Sequence, residues 1–320
     1  MINTEEILKK RKNTLPDEVS KNLDNLEVIG SSGKVVKVPD GRKYHLDNKL
    51  NDLSGSEWTY FTNSVINTNY STTGTQNYAY KVRKIHPSPK PPQLLAEIIK
   101  FFTKKNDVVF DYFSGVGGTL LACSLTNRVG VGIELNPEYV RAYTNASNEL
   151  GLNVQKVITG DSLVLIDKEE VRSIFDEKKA KLILIDPPYY NMMSREKTGD
   201  DISRYGSNGT PFTDSEHDFG NMSELDFWSK LVSLVEKSLN YLDDKGHVVV
   251  FIKDLQPKGK QPNMLHADMV NHLNSIPELS YIGMKIWADQ TAKLYPYGYP
   301  FAFVATQIHQ YILMFKKTAK

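Results

Sequence analysis

A single cysteine, Cys123, in a chain of 320 residues excludes an intramolecular disulfide and any multi-cysteine zinc site. Long hydrophobic runs are also missing. No stretch approaches the roughly 18 to 20 apolar residues that cross a bilayer. The first residues, Met1 to Glu6, are polar and acidic and do not read as a secretory signal. These absences point to a cytoplasmic protein with no membrane contact and no metal site. An excess of one charge is lacking too: 39 Lys and Arg stand against 38 Asp and Glu, for a net charge of +1. A broad basic face usually brings a larger excess of Lys and Arg, so any nucleic-acid contact is expected to come from a local cluster. There is no internal repeat and no low-complexity tract. What remains is ordinary for a globular enzyme, with 40% hydrophobic and 24% charged residues. The length suits one sizeable α/β core with decorations, or two modest domains.

Residues 1–85 differ in composition from the rest of the chain and read as an N-terminal extension, a DNA-contact or dimerisation region. Ile7 to Arg11 suggest a short basic helix. Val35 to Val38 and Lys43 to Leu46 flank Pro39-Asp40-Gly41-Arg42, which reads as a β-hairpin. Residues 62–80 look like irregular surface chain. From Pro87 onward strands and helices alternate. Leu95, Ile98, Ile99 and Phe102 form one helical stripe, and Trp228, Leu231, Val235, Leu239 and Leu242 another. Short apolar strands are expected at 108–110, 129–133, 154–158, 182–185 and 248–252, with an antiparallel pair at 281–287 and 308–315. Asn136-Pro137 and Gly151 bracket a helix as N-cap, first turn and C-terminal stop. This alternation implies an α/β, doubly wound, Rossmann-like sheet in a domain spanning 86–320. Residues 190–222, rich in glycine and polar side chains, form a long loop of functional length.

Asp111-Tyr112-Phe113-Ser114-Gly115-Val116-Gly117-Gly118-Thr119 joins a buried strand to a helix. Glycines there make the tight turn and admit a ligand close to the backbone. Glu134 ends the next strand, where a carboxylate meets the ribose hydroxyls of an adenosine group. A dinucleotide fingerprint fails because Leu120 stands where its last glycine belongs, and no G-K-[ST] phosphate loop is present. Two glycines, an aromatic and an acid suit a cofactor with no phosphate and a sulfonium cation, which Phe113 can stack against. The alternative is a turn with packing glycines only.

Asp186-Pro187-Pro188-Tyr189 leaves the end of the buried run Leu182 to Ile185. Two prolines cannot extend a central strand, so the chain turns out there. They carry no N–H, which leaves neighbouring carbonyl oxygens as acceptors in a rigid frame. A carboxylate beside such an oxygen can take both hydrogens of an amino group and return lone-pair density to its nitrogen. Tyr189 can then stack on a base turned out of its duplex.

Taken together, these motifs resemble the amino-methyltransferases of DNA, the adenine-N6 and cytosine-N4 family. His86-Pro87 with its following helix resembles the family's motif beside the methionine part of S-adenosylmethionine. The run Asp111 to Thr119, with Phe113, Ser114, Gly115, Gly117 and Thr119, matches its cofactor loop, and Glu134 its ribose acid. Asp161 falls at its adenine contact, and Asp186 to Tyr189 on its catalytic tetrapeptide. The resemblance covers about residues 86 to 190. It implies a seven-stranded, mostly parallel sheet with an antiparallel last strand. The motif order is similar to the gamma arrangement, although Asn usually replaces Asp in that tetrapeptide. The implied activity is site-specific methylation of adenine N6 in DNA, as in restriction-modification, with base flipping. Asp at 186 rather than Ser favours adenine. Cytosine N4, an RNA base, or a non-catalytic cofactor-binding subunit of a modification complex stay open as alternatives, as does a homodimer.

Cys123 lies on the helix behind the glycine loop without a preceding proline, so it reads as a core residue rather than a nucleophile. Arg195, Lys197 and Arg204 in the long loop are candidate phosphate contacts, with solvated loop charges as the alternative. Tyr295, Tyr297, Tyr299 and Phe301 read as a buried aromatic turn rather than a base pocket. His309 reads as structural, and Lys253 and Asp254 end a strand where a substrate contact is available.

Overall fold

Apolar residues alternate along the central strands and send their side chains to two separate cores. Val109, Leu182, Leu184, Val249 and Phe251 face one side with the helix Pro92–Phe102. Phe110, Ile183, Ile185, Val248, Val250 and Ile252 face the other, with the helix Glu224–Ser238. A sheet covered on both faces has this near-continuous apolar reading. The computed structural model describes residues 4–11, 14–71, 74, 77–190, 213–255, 263–296 and 298–318. Among them no helix is long and apolar enough to cross a membrane.

The strands in chain order are β1 (Glu27–Ile29), β2 (Val35–Lys37), β3 (Lys43–His45), β4 (Val65–Thr68), β5 (Val108–Asp111), β6 (Val129–Glu134), β7 (Lys156–Thr159), β8 (Ala180–Ile185), β9 (Leu242–Ile252), β10 (Leu279–Asp289) and β11 (His309–Lys317). The first three make a small antiparallel sheet, so the expected hairpin gains a third strand. The other eight form one sheet in the order β4-β10-β11-β9-β8-β5-β6-β7. β11 is antiparallel to both of its neighbours, and the remaining pairs are parallel. Seven of these strands make the expected doubly wound sheet with its antiparallel last strand. The eighth, β4, comes from the segment expected to be irregular surface chain. Ile66 pairs with Trp287 in a parallel ladder, and the Trp287 indole donates to Thr68 Oγ1 at 2.7 Å.

The helical stripes fall where the periodicity places them, with one correction. Leu95, Ile98, Ile99 and Phe102 are all buried. The second helix stops at Ser238, passes through a 3-10 turn, and Leu242 opens β9 instead of continuing the stripe. Asn136 caps its helix by accepting the Glu138 N–H, with Pro137 in the first turn. The aromatic segment after β10 also departs from expectation: Tyr299 and Phe301 are 81% and 94% exposed rather than buried, and Tyr297 lies outside the described residues.

The small N-terminal sheet has its own core of Leu15, Val19, Val36, Val38, Tyr44 and Leu46. It is tied to the edge of the large sheet where β5 and β6 begin. Asn51 donates to the Phe101 carbonyl at 2.7 Å, and Asp52 accepts the Lys105 N–H at 2.7 Å and pairs with Arg128 at 3.4 Å. The opposite edge, where the parallel strands end, is left for the site.

Candidate functional site

The strand order explains why two motifs about 75 residues apart meet. β5 lies between β6 on one side and β8 on the other, so the order in which strands are added reverses across it while all three stay parallel. Crevices at the carboxyl ends of strands open at such a switch point. Phe110 of β5 pairs with Ile183 of β8, which brings the glycine loop and the tetrapeptide side by side. One cavity there is bounded by His86, Phe113, Gly115, Glu134 and Asp161 together with all four residues Asp186, Pro187, Pro188 and Tyr189. A smaller one under the loop is lined by Asp111, Ser114 and Thr119.

Gly115 and Gly117 both have positive φ, +51° and +74°. Gly117 N–H donates to the Ser114 carbonyl at 2.8 Å, closing the turn. The Ser114 hydroxyl and its N–H both donate to the Ile133 carbonyl at 3.1 Å, so this side chain staples the loop to β6. Asp111 is 4% exposed; it accepts the Phe113 N–H at 3.0 Å and bonds the Thr119 side chain. Burial pushes the Asp111 carboxyl up to about 7.

Glu134 is held by the backbone through both oxygens. Oε2 accepts the Gly115 N–H at 2.7 Å and Oε1 the Asn136 N–H at 2.8 Å. Burial dominates and raises its pKa to about 7, against the lowering effect of those hydrogen bonds. The lone pairs left over are acceptors of the kind that ribose hydroxyls would donate to. His86 accepts the Ser88 N–H on Nδ1 at 3.1 Å, which places the ring proton on Nε2. Burial, then the charges of Lys90 and Arg83, lower its pKa to about 3, so the ring is neutral. Its edge meets Tyr139 at 4.9 Å, and its Cδ2 and Nε2 lie 3.6 Å from where a Cβ on Gly115 would sit.

Asp161 caps the helix Ser162–Leu165 through the Leu163 N–H at 2.8 Å, and its other oxygen faces His217 Nδ1 at 3.2 Å. Phe113 stands edge-on to Phe219 at 5.0 Å. Tyr189 is 6% exposed; it lines the cavity, and its hydroxyl bonds the Lys253 main chain. Burial raises that phenol well above its ordinary range. Asp186 is paired with Lys90 Nζ at 2.6 Å. Lys253 borders the same cavity, and burial lowers its pKa. Arg195, Lys197 and Arg204 lie outside the described residues. Cys123 is buried, and burial pushes its thiol well up.

Several neighbours of the site were not singled out in the sequence. Lys90 sits in Pro89-Lys90-Pro91-Pro92, and a cation locked between prolines was the available signal. Arg83 is 1% exposed and bonds two carbonyls, Val116 at 3.2 Å and Lys90 at 2.7 Å, tying the proline segment to the glycine loop. Its pKa falls to about 10 through burial. His217, Asp218 and Phe219 also border the cavity, and nothing in their local pattern announces it.

The fold is a Rossmann-like, doubly wound sheet with a glycine loop beside a proline tetrapeptide at its switch point. Residues 4–145 match the family model described as DNA methylase, the N6/N4 methyltransferases. Over that stretch, less than half of its length, the chain is similar to this family. The Type II methyltransferase M.HpaI of Haemophilus parainfluenzae is 39% identical over 64 residues, 20% of this chain and 20% of that protein. The Type II methyltransferase M1.MboII of Moraxella bovis is 35% identical over 72 residues, 22% of this chain and 28% of that protein. The matches thus span between a fifth and three tenths of these relatives. Among solved structures, TrmN from Thermus thermophilus has a TM-score of 0.43 at 13% identity, covering 74% of this chain and 52% of that one. The family match ends before β8, so Asp186 to Tyr189 lie beyond it.

Proposed function

We propose that the protein methylates the exocyclic N6 of adenine in DNA, as a site-specific modification methyltransferase using S-adenosylmethionine. The observation that carries this reading is that Asp186 lines the same cavity as Glu134 and Gly115. Glu134 would accept the ribose hydroxyls, Asp161 and Phe113 would flank the adenosine, and His86 would lie toward the methionine part. When bound, the cofactor supplies an electrophilic methyl group on a sulfonium. Asp186 would accept an N–H of the target amino group, while Pro187 and Pro188 add no competing donor. The acceptor nitrogen then keeps its lone pair for the methyl group. Tyr189, fixed at its hydroxyl by Lys253, offers a ring against which an unstacked base can lie. Such a contact offsets part of the few kcal/mol that flipping costs. Asp rather than Ser at 186 supports adenine over cytosine.

The test is to incubate the protein with DNA and methyl-labelled S-adenosylmethionine, then identify the modified nucleoside. N6-methyladenine is expected. N4-methylcytosine would overturn the choice of base, and label on RNA alone the choice of substrate. Cofactor binding with no transfer would identify a non-catalytic subunit. Asp186→Ala is expected to abolish transfer while cofactor binding stays within about threefold; unchanged turnover would remove Asp186 from the chemistry.

A further inference from the structure

The cation beside Asp186 has a role that its charge alone does not explain. Lys90 and Asp186 are 96 positions apart in sequence, and Lys90 Nζ meets Asp186 Oδ2 at 2.6 Å. The lysine side chain is 9% exposed and that of Asp186 28%. Both ends of Lys90 are fixed. Its carbonyl accepts from the buried Arg83 guanidinium at 2.7 Å, and prolines restrict φ on either side. Its ammonium also lies 5.3 Å from the centre of the Phe251 ring, a cation–π distance.

We propose that Lys90 is a positioning residue for methyl transfer, holding one oxygen of Asp186 so that the other is presented to the acceptor amino group. This rests on the reading of Asp186 under the proposed function. A free carboxylate rotates about its last torsion and offers either oxygen in many directions. A short, charge-assisted bond to Oδ2 removes that freedom and leaves Oδ1 with a defined direction. Electrostatics alone would argue against a lysine here. A cation beside a sulfonium, and beside an amino group gaining positive charge, opposes the reaction. The contribution of Lys90 is therefore orientation, where a misplacement of about 1 Å can cost on the order of 100-fold in rate.

The experiment compares Lys90→Met, Lys90→Gln and Lys90→Arg in single-turnover methylation, with cofactor affinity and melting temperature measured alongside. Lys90→Met is expected to lower the rate about 100-fold with cofactor affinity within about threefold. Lys90→Arg is expected to recover at least tenfold of that loss, and Lys90→Gln, which keeps a donor, to fall between them. A Lys90→Met rate within twofold of the parent overturns the proposal, as does a loss seen entirely in cofactor affinity. Should Lys90→Met not fold, a parental rate in Lys90→Gln overturns it equally. Asp186→Ala is the internal control. If it is inactive while Lys90→Met is not, only the role of Lys90 fails; if it is active, the reading of the site fails first.

Discussion

Gly117 lies flat against the ring of Tyr143, so closely that a Cβ on the glycine would stand 2.0 Å from the tyrosine Cδ2. Tyr143 in turn accepts the Gln155 N–H on its hydroxyl at 2.6 Å and is 1% exposed. The ring therefore has nowhere to move, and the requirement for glycine is steric as well as conformational. Gly117→Ala is expected to lower stability by about 2 to 4 kcal/mol, combining overpacking with a strained positive φ. Urea unfolding would measure this, and a loss under about 0.5 kcal/mol would mean that the loop relaxes freely.

A pH dependence arises from Glu134, whose folded pKa of about 7 stands above the ordinary 4.5 because burial disfavours its charge. The folded state then holds a proton that the unfolded state has already released. Its contribution to stability is fully present below about 4.5, declines as pH rises toward 7, and changes no further above that. A ligand donating hydroxyl hydrogens to Glu134 favours the carboxylate, so its binding releases a proton and tightens as pH rises through 7. Calorimetric titration with S-adenosylhomocysteine is expected to show tighter binding at pH 8 than at pH 6. Glu134→Gln should flatten that difference, with Asp111→Asn as the control for the other buried carboxyl. Equal affinities of the parent protein at the two pH values would refute the assignment.

Residues 1–85 contribute to the main sheet through β4 and to the cavity's support through Arg83. A fragment beginning at residue 86 is therefore expected to be less stable than the full chain and to self-associate, because the β10 edge is uncovered. Light scattering and thermal melting check this. A monomeric fragment with an unchanged melting temperature would show that residues 1–85 are dispensable to the fold.

How legible was this in the sequence? The strands buried on both faces announced themselves because every residue from Leu182 to Ile185 is apolar, and the cap at Asn136 and Pro137 is local chemistry. β4 did not, because Val65 and Ile66 sit among Asn, Thr and Ser, and its ladder depends on β10, over 200 residues away. Leu242 lies three positions beyond Leu239, a spacing that suits a helix until the 3-10 turn intervenes. Both site motifs could be read from the residues, but their adjacency comes from strand order. The Lys90–Asp186 pair and the Arg83 tie are contacts between distant segments with no periodicity of their own. The exposure of Tyr299 and Phe301 likewise depends on what fails to cover them, which local composition does not record.

The antiparallel strand has a consequence for the order in which the protein assembles. β11 follows every other described strand in sequence but lies inside the sheet, between β9 and β10. β10 and β4 reach the other five strands only through it. During synthesis a chain emerged to about residue 305 can assemble the ligand-binding half of the sheet, from β9 across to β7, while β4 and β10 wait as a detached pair. The final closure resembles setting a keystone, and until it occurs two bare strand edges face the crowded cell.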